Sequence, residues 1–348
     1  MPDTYRAAVW TDINKIEVME RPMPCPRPGQ VVVRIRSAGI CGTDLHILAG
    51  KHPKAKPPLV PGHEFAGQVT DVGEGVDRKL SGARVGCDSY VGCGKCKYCV
   101  TKQRQLCGKG TCELGINIDG GWAEYVVVPA ENLYLLPEKV SFLEGGAGCI
   151  LNCPLAAIET IKVGFGDVVL ILGDGPSSLI MTQLAILKGA SKVIVSGHRE
   201  RRLALALELG ATRVVNTHTE DLIKSIRSLP REPDVVIDAV GKSKTLTTAL
   251  KLTGRYGRIH LFGLPDGLLN DLPMDEFLWK ELTLKSSTGN PALWPTAMDL
   301  ISRGLLKVKP LITQQFAISQ AAEAIDFVRN RPQEVVKAVF KMPQEAEG

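Results

Sequence analysis

All ten cysteines of this 348-residue chain fall in its first 153 residues, at Cys25, Cys41, Cys87, Cys93, Cys96, Cys99, Cys107, Cys112, Cys149 and Cys153. The 195 residues that follow contain none. Disulfide frameworks belong to small secreted domains, and Met1 to Trp10 carries no basic stretch followed by an apolar core that would mark export, nor an Arg/Ser-rich transit pattern. Metal binding is the better reading of the cysteines. Their one-sided placement predicts two halves with different work.

Composition narrows the class further. With 44% hydrophobic and 23% charged residues the chain is globular rather than disordered or fibrous. No apolar run approaches the ~18 residues of a membrane helix, so a cytoplasmic protein is expected, without a membrane partner. The net charge of +5 is spread along the chain, which argues against a nucleic-acid partner and allows a weak bias toward anionic ligands.

Up to about residue 150 the sequence alternates short β-rich runs with Gly and Pro, as in Val31 to Ile35, Gly67 to Gly73 and Ala123 to Val128. A compact β-barrel-like domain is expected there. From about residue 154 strands alternate with helices closed by glycine: Asp167 to Leu172, the helix Pro176 to Lys188 before Gly189, Lys192 to Ser196, the helix Arg199 to Leu209 before Gly210, then strands near Arg213, Asp234 to Ala239, Arg258 to Phe262 and Leu282 to Ser286. That rhythm predicts an α/β fold with a doubly wound parallel sheet. Helices over Trp294 to Arg303 and Ser319 to Asn330 precede a strand-like Glu334 to Lys341 that can return to the first domain, and Pro343 to Gly348 reads as a frayed tail. The expected domains are 1–153 with 291–348, and 154–290.

Cys93, Cys96, Cys99 and Cys107 form C-x2-C-x2-C-x7-C, with Gly92, Gly94 and Gly108 letting the backbone curl around a small ion. Four thiolates at this spacing suit tetrahedral zinc in a closed, structural site. Iron–sulfur ferredoxins share the first three cysteines, but their x3 spacing and proline at the fourth are absent here. No basic recognition helix follows, so a DNA-binding zinc module is disfavoured.

A second, open site is available. Cys41-Gly42-Thr43-Asp44-Leu45-His46 and Gly62-His63-Glu64 supply a thiolate, imidazoles and carboxylates, and Cys153 adds a thiolate before Pro154. Three protein ligands with one position left for substrate are what a catalytic zinc needs.

Together these motifs resemble the zinc-dependent medium-chain dehydrogenase/reductase family of alcohol, polyol and threonine dehydrogenases, over almost the whole chain. The resemblance implies a GroES-like β-barrel catalytic domain, a Rossmann domain and an active site in the cleft between them. It implies Cys41 and His63 as catalytic zinc ligands, with Glu64 and Cys153 as alternative third ligands, since the family's usual Glu-Pro is here Cys153-Pro154. Asp44 matches the residue that bonds the zinc-bound imidazole, Thr43 the hydroxyl that bonds the substrate oxygen, and His46 the relay that carries its proton outward. The activity implied is hydride transfer between a secondary alcohol or polyol and a nicotinamide cofactor. Threonine-type amino-alcohol and sugar-phosphate or acidic-polyol dehydrogenation are the alternatives. Zinc-independent double-bond reduction is disfavoured by Cys41, His63 and Glu64 occurring together.

Gly173-Asp174-Gly175-Pro176-Ser177-Ser178 follows the first Rossmann strand and opens a helix, the context that makes a glycine motif a pyrophosphate site. Ser178 stands at the third glycine position. NAD sites place an acid about 20 residues on, at the end of the second strand, where this chain has Ser196-Gly197-His198-Arg199. With no carboxylate there and three donors to phosphate in Ser196, His198 and Arg199, NADP(H) is expected to be preferred. Gly197→Asp would then be expected to move the preference toward NAD.

The substrate is less constrained. Lys51, His52, Lys54 and Lys56 form a basic loop, read as solvated rather than as a phosphate site. Relatives pair edge strands of the dinucleotide domain, so a homo-oligomer, tetramer or dimer, is expected around Leu282 to Ser287. Cys25, Cys87, Cys112 and Cys149 remain as small hydrophobes.

Overall fold

The computed structural model describes residues 3–147, 149–265, 267–268 and 271–342. The side chain of Cys149 and the tail Pro343 to Gly348 lie outside the described residues. The chain divides into two compact units. The first contains Met1–Cys149, Pro291–Gly304 and Val308–Gly348, the second Ile150–Asn290 and Leu305–Lys307. The division therefore comes four residues before the expected 153/154, because a helix over Cys149–Ile161 begins there. Its apolar run, Ile150, Leu151, Leu155, Ala156 and Ile158, is buried, and Pro154 had read as the end of a domain rather than the interior of a helix.

In the first unit a seven-stranded sheet is centred on Gln30–Ile40, which pairs antiparallel with Phe65–Val72, Tyr125–Pro129 and Lys337–Lys341. Phe65–Val72 continues to Arg84–Cys87 and then to Leu133–Leu135, while Ile312–Phe316 adds to the far side of Lys337–Lys341. The final strand thus does return to the first unit. Ala338 faces Ile40 and Val339 faces Gly39, which brings Lys337 to the end of the strand that Cys41 follows. Trp10, Val33, Ile35, Phe65, Trp122 and Phe340 are buried in one core cluster, with Trp122 edge-on to Phe340 at 5.2 Å. Burying six such side chains removes enough apolar surface, at ~25 cal/mol per Å², to dominate the local energetics.

The second unit is a six-stranded, all-parallel sheet in the order Arg213–Asn216, Lys192–Gly197, Val168–Leu172, Val235–Asp238, Arg258–Leu261, Thr283–Ser286. Every residue of Val168–Leu172 is buried, as expected of a strand covered on both faces. This is the doubly wound Rossmann order, whose ligands bind beyond the carboxyl ends of the strands at the point where the order reverses. Gly173 leaves Val168–Leu172 at that point, at φ +114°, and Pro176 opens the helix Pro176–Leu187 in its first turn. No helix among the described residues is long and apolar enough to cross a membrane.

Candidate metal centres and dinucleotide site

Cys41 caps the short helix Gly42–Leu48 at the end of the central strand. Its backbone N–H donates to Asp44 Oδ2 at 2.7 Å, while Asp44 Oδ1 lies 3.2 Å from His63 Nδ1. Asp44 is wholly buried, so one carboxylate fixes both the turn at Cys41 and the ring at His63. With Nδ1–H donated to Asp44, the Nε2 lone pair is left for a cation. Gly62 sets the approach. It has φ +93°, and a Cβ there would sit 2.2 Å from Trp122 Cδ1 and 2.8 Å from its backbone nitrogen. Only glycine leaves room for that crossing.

One ligand atom each from Cys41, His63 and Glu64 lies within 4.8 Å of the others. Glu64 is fully buried; its Oε1 is 3.9 Å from His63 Nε2 and has no hydrogen-bond partner. A buried oxygen left unbonded costs stability unless a ligand meets it. Thiolate, imidazole and carboxylate together are a donor set for zinc with a position left open. Electrostatics agree. Burial alone would pull the His63 imidazole down, yet Asp44 and Cys41 outweigh it and hold it well above its ordinary value.

Sequence reasoning missed Lys337. It is buried and ion-paired with Glu64 Oε2. Burial pushes the Glu64 carboxyl up to about 7 against the opposing pull of Lys337. Gly39 was also overlooked: a Cβ there would fall 2.1 Å from Glu64 Oε2. A lysine 273 positions from its partner leaves no local signal in the sequence.

Thr43 is half-buried, with Oγ1 3.8 Å from Cys41 Sγ, and His46 is exposed one turn along the same helix. Cys153 belongs to the second unit, where its thiol donates to the Thr288 carbonyl at 3.3 Å.

Cys93, Cys96, Cys99 and Cys107 form a second four-donor group. Their sulfurs stand 3.5 Å (Cys96 to Cys99), 3.9 Å (Cys96 to Cys107) and 4.0 Å (Cys93 to Cys99) apart. Four sulfurs ~2.3 Å from a tetrahedral zinc would be about 3.8 Å from one another, so the cluster fits the ion. The Cys99 amide helps pull Cys96 down to about 6, while burial pushes Cys99 up to about 12. Without a cation the four cannot all ionise. Arg104, buried within this segment, anchors it through Asp88 Oδ2 at 3.3 Å and the Glu131 carbonyl at 2.9 Å. Of the leftover cysteines Cys87 is buried as expected, but Cys25 and Cys112 are exposed. They are not core hydrophobes.

The dinucleotide motif is where the sequence reading needs most correction. Ser178 is fully buried, as a small residue between helix and strand should be. Ser196 is not available to a phosphate: it is buried, and its hydroxyl donates to the Ile171 carbonyl at 3.4 Å. His198 stacks on His218 at 4.8 Å. A carboxylate does stand at the end of the second strand, supplied by Asp174 of the glycine loop. Asp174 Oδ2 accepts from the backbone N–H of His198 (2.9 Å) and Arg199 (2.8 Å), and Oδ1 from Arg199 Nη1 (2.9 Å). Burial would raise Asp174, but these amides and the guanidiniums of Arg199 and Arg202 hold it below its ordinary value. Gly197→Asp cannot serve as the cofactor test, because a Cβ at Gly197 would be 2.4 Å from Asp174 Cβ. In the basic loop, Lys54 is ion-paired with Glu113 at 2.7 Å.

Two family profiles match the chain: the alcohol dehydrogenase GroES-like domain over residues 27–138 and the zinc-binding dehydrogenase domain over residues 178–303. The L-threonine 3-dehydrogenase of Bacillus licheniformis is 32% identical, covering 88% of this chain and 90% of its own. Among solved structures, an Escherichia coli CFT073 alcohol dehydrogenase complexed with NADH superposes with a TM-score of 0.92 at 31% identity, over 98% of this chain and 100% of that one. A Sinorhizobium meliloti zinc-binding dehydrogenase bound to NADP gives 0.90, also at 31% identity and with the same coverage. The fold, the two profiles and the full-length relatives establish that this chain belongs to the zinc-dependent medium-chain dehydrogenase/reductase family, the alcohol dehydrogenase group of oxidoreductases.

Proposed function

We propose that this chain transfers a hydride between a secondary alcohol or polyol, or the matching ketone, and a nicotinamide cofactor, with NADP(H) preferred. The observation that carries the reading is the convergence of Cys41, His63 and Glu64 on one point, with Asp44 behind His63. Glu64 is the third ligand in this reading, with Cys153 the alternative. A zinc held there would supply a Lewis acid that polarises the substrate C–O bond.

The chain's own residues do the rest. Asp44 keeps His63 in one tautomer and one orientation. Thr43 takes a hydrogen bond from the substrate hydroxyl beside Cys41, and exposed His46, three positions along one helix, passes the released proton to water. Backbone N–H groups of Gly175 and Ser178 face the pyrophosphate beyond the turn at Gly173, with Pro176 fixing the helix start. Gly197, His198 and Arg199 border the adenosine ribose, and Arg199 supplies the fork for a 2′-phosphate. Cys93, Cys96, Cys99 and Cys107 hold a second, structural zinc. The small-molecule substrate needs no macromolecular partner.

A second reading, threonine-type amino-alcohol oxidation, is supported by the similarity to a threonine dehydrogenase. The sugar-phosphate reading is weaker, because Lys54 is committed to Glu113. The edge strand Thr283–Ser286 is exposed along its length, which supports a homo-oligomer, dimer or tetramer, through pairing of that edge. Zinc-loaded protein assayed at the reduced-nicotinamide absorbance, with polyols, sugar phosphates, threonine and simple secondary alcohols and with both cofactors, tests the reading. Turnover of a secondary alcohol or polyol with higher kcat/KM for NADP(H) is expected; turnover of threonine alone, or a clear preference for NAD(H), overturns it.

A further inference from the structure

The two guanidiniums beyond the second Rossmann strand are held in place by a carboxylate from a different loop. Asp174 is 3% exposed. Both its oxygens are engaged, Oδ2 by the amides of His198 and Arg199, Oδ1 by Arg199 Nη1 at 2.9 Å with Arg202 Nη1 at 3.7 Å. It therefore has little capacity left to accept a ribose hydroxyl, the usual task of an acid in this region. Gly197 could not supply that acid either, since Asp174 fills the space its side chain would need.

Arg199 is the open member. Its side chain is 23% exposed, and its Nε is buried with no hydrogen-bond partner. With Nη1 tied back to Asp174, Nη2 is the donor left to meet a phosphate, and Nε lies buried behind it. Charge points the same way: two guanidiniums against one carboxylate leave a surplus of one positive charge. Burial, with the neighbouring Arg199, pulls Arg202 down to about 10. An added anion would relieve that repulsion.

We infer that Asp174 is a positioning residue for cofactor selection, locking Arg199 and Arg202 into a preformed seat for a phosphate monoester on the adenosine ribose. The inference rests on the NADP(H) reading above. A guanidinium already fixed in its bound rotamer loses less entropy on binding than a free one, so the carboxylate contributes affinity without touching the ligand.

Calorimetry on the full, zinc-loaded chain tests this, with adenosine 2′,5′-bisphosphate and 5′-AMP as probes. Wild type should bind the bisphosphate at least about tenfold more tightly. Asp174→Asn should reduce that ratio to about threefold or less. Asp174→Ser, which keeps a small polar side chain in the loop, should do the same, and carries the test if Asp174→Asn does not fold. Mere distortion of the glycine loop would weaken both probes together and leave the ratio standing, and that result overturns the inference alone. Equal binding of the two probes by wild type overturns the NADP(H) reading and the inference with it.

Discussion

Lys337 and Glu64 form an ion pair sealed from water, with Lys337 2% exposed and Glu64 fully buried. It joins the last strand of the first unit to the residue that follows His63, and so ties the C-terminal part of the chain to the candidate metal centre. Removing one member of a buried pair leaves the other charge uncompensated. Lys337→Met should lower the unfolding free energy by about 3–5 kcal/mol, and Lys337→Met with Glu64→Gln should recover much of that loss. Denaturant unfolding of the two variants at neutral pH checks it; a single variant as stable as wild type would show that the pair is unimportant.

Asp44 holds His63 Nδ1 at 3.2 Å and the Cys41 amide at 2.7 Å. Asp44→Asn keeps an acceptor but loses the charge and admits the wrong tautomer. Zinc affinity at the three-donor site should fall about 10–100-fold, read by competition with a chromogenic chelator. An unchanged affinity would mean that His63 is oriented by something else.

Much of this was legible in the sequence, and for definite reasons. The buried strands Val168–Leu172 and Val235–Asp238 are short runs rich in Val and Ile, and the four-cysteine spacing is local, so neither depends on the rest of the fold. The helix over Cys149–Ile161 was missed because Pro154 masks its apolar run. What the sequence hid most were pairings across distance. Lys337 with Glu64, Asp174 with Arg199 and Arg104 with Asp88 join residues that only the sheet register or a loop crossing brings together. At the end of the second strand the sequence shows no acid of its own, and the carboxylate that stands there, Asp174, comes from the first loop.

His260 is fully buried on the strand Arg258–Leu261, with Nε2 3.1 Å from Ser287 Oγ and Nδ1 without a partner. Burial pulls its imidazole down to about 4, whereas in the unfolded chain it titrates near 6.5. Between those values the unfolded chain binds a proton that the folded chain does not. Its contribution to stability is therefore present above about pH 6.5 and is lost as the pH falls toward 4, by up to about 3 kcal/mol. His260→Gln should flatten that part of the stability curve relative to wild type in denaturant titrations from pH 7 to 4. Parallel curves for the two proteins would contradict it.

The central claim is that Cys41, His63 and Glu64 hold a metal distinct from the one in the four-cysteine cluster. Metal analysis of purified protein tests it most directly. Wild type should contain about two zinc ions per chain, and Cys41→Ala about one, with the fold retained and hydride transfer lost. One zinc in wild type, or two zincs and full activity in Cys41→Ala, would contradict the account.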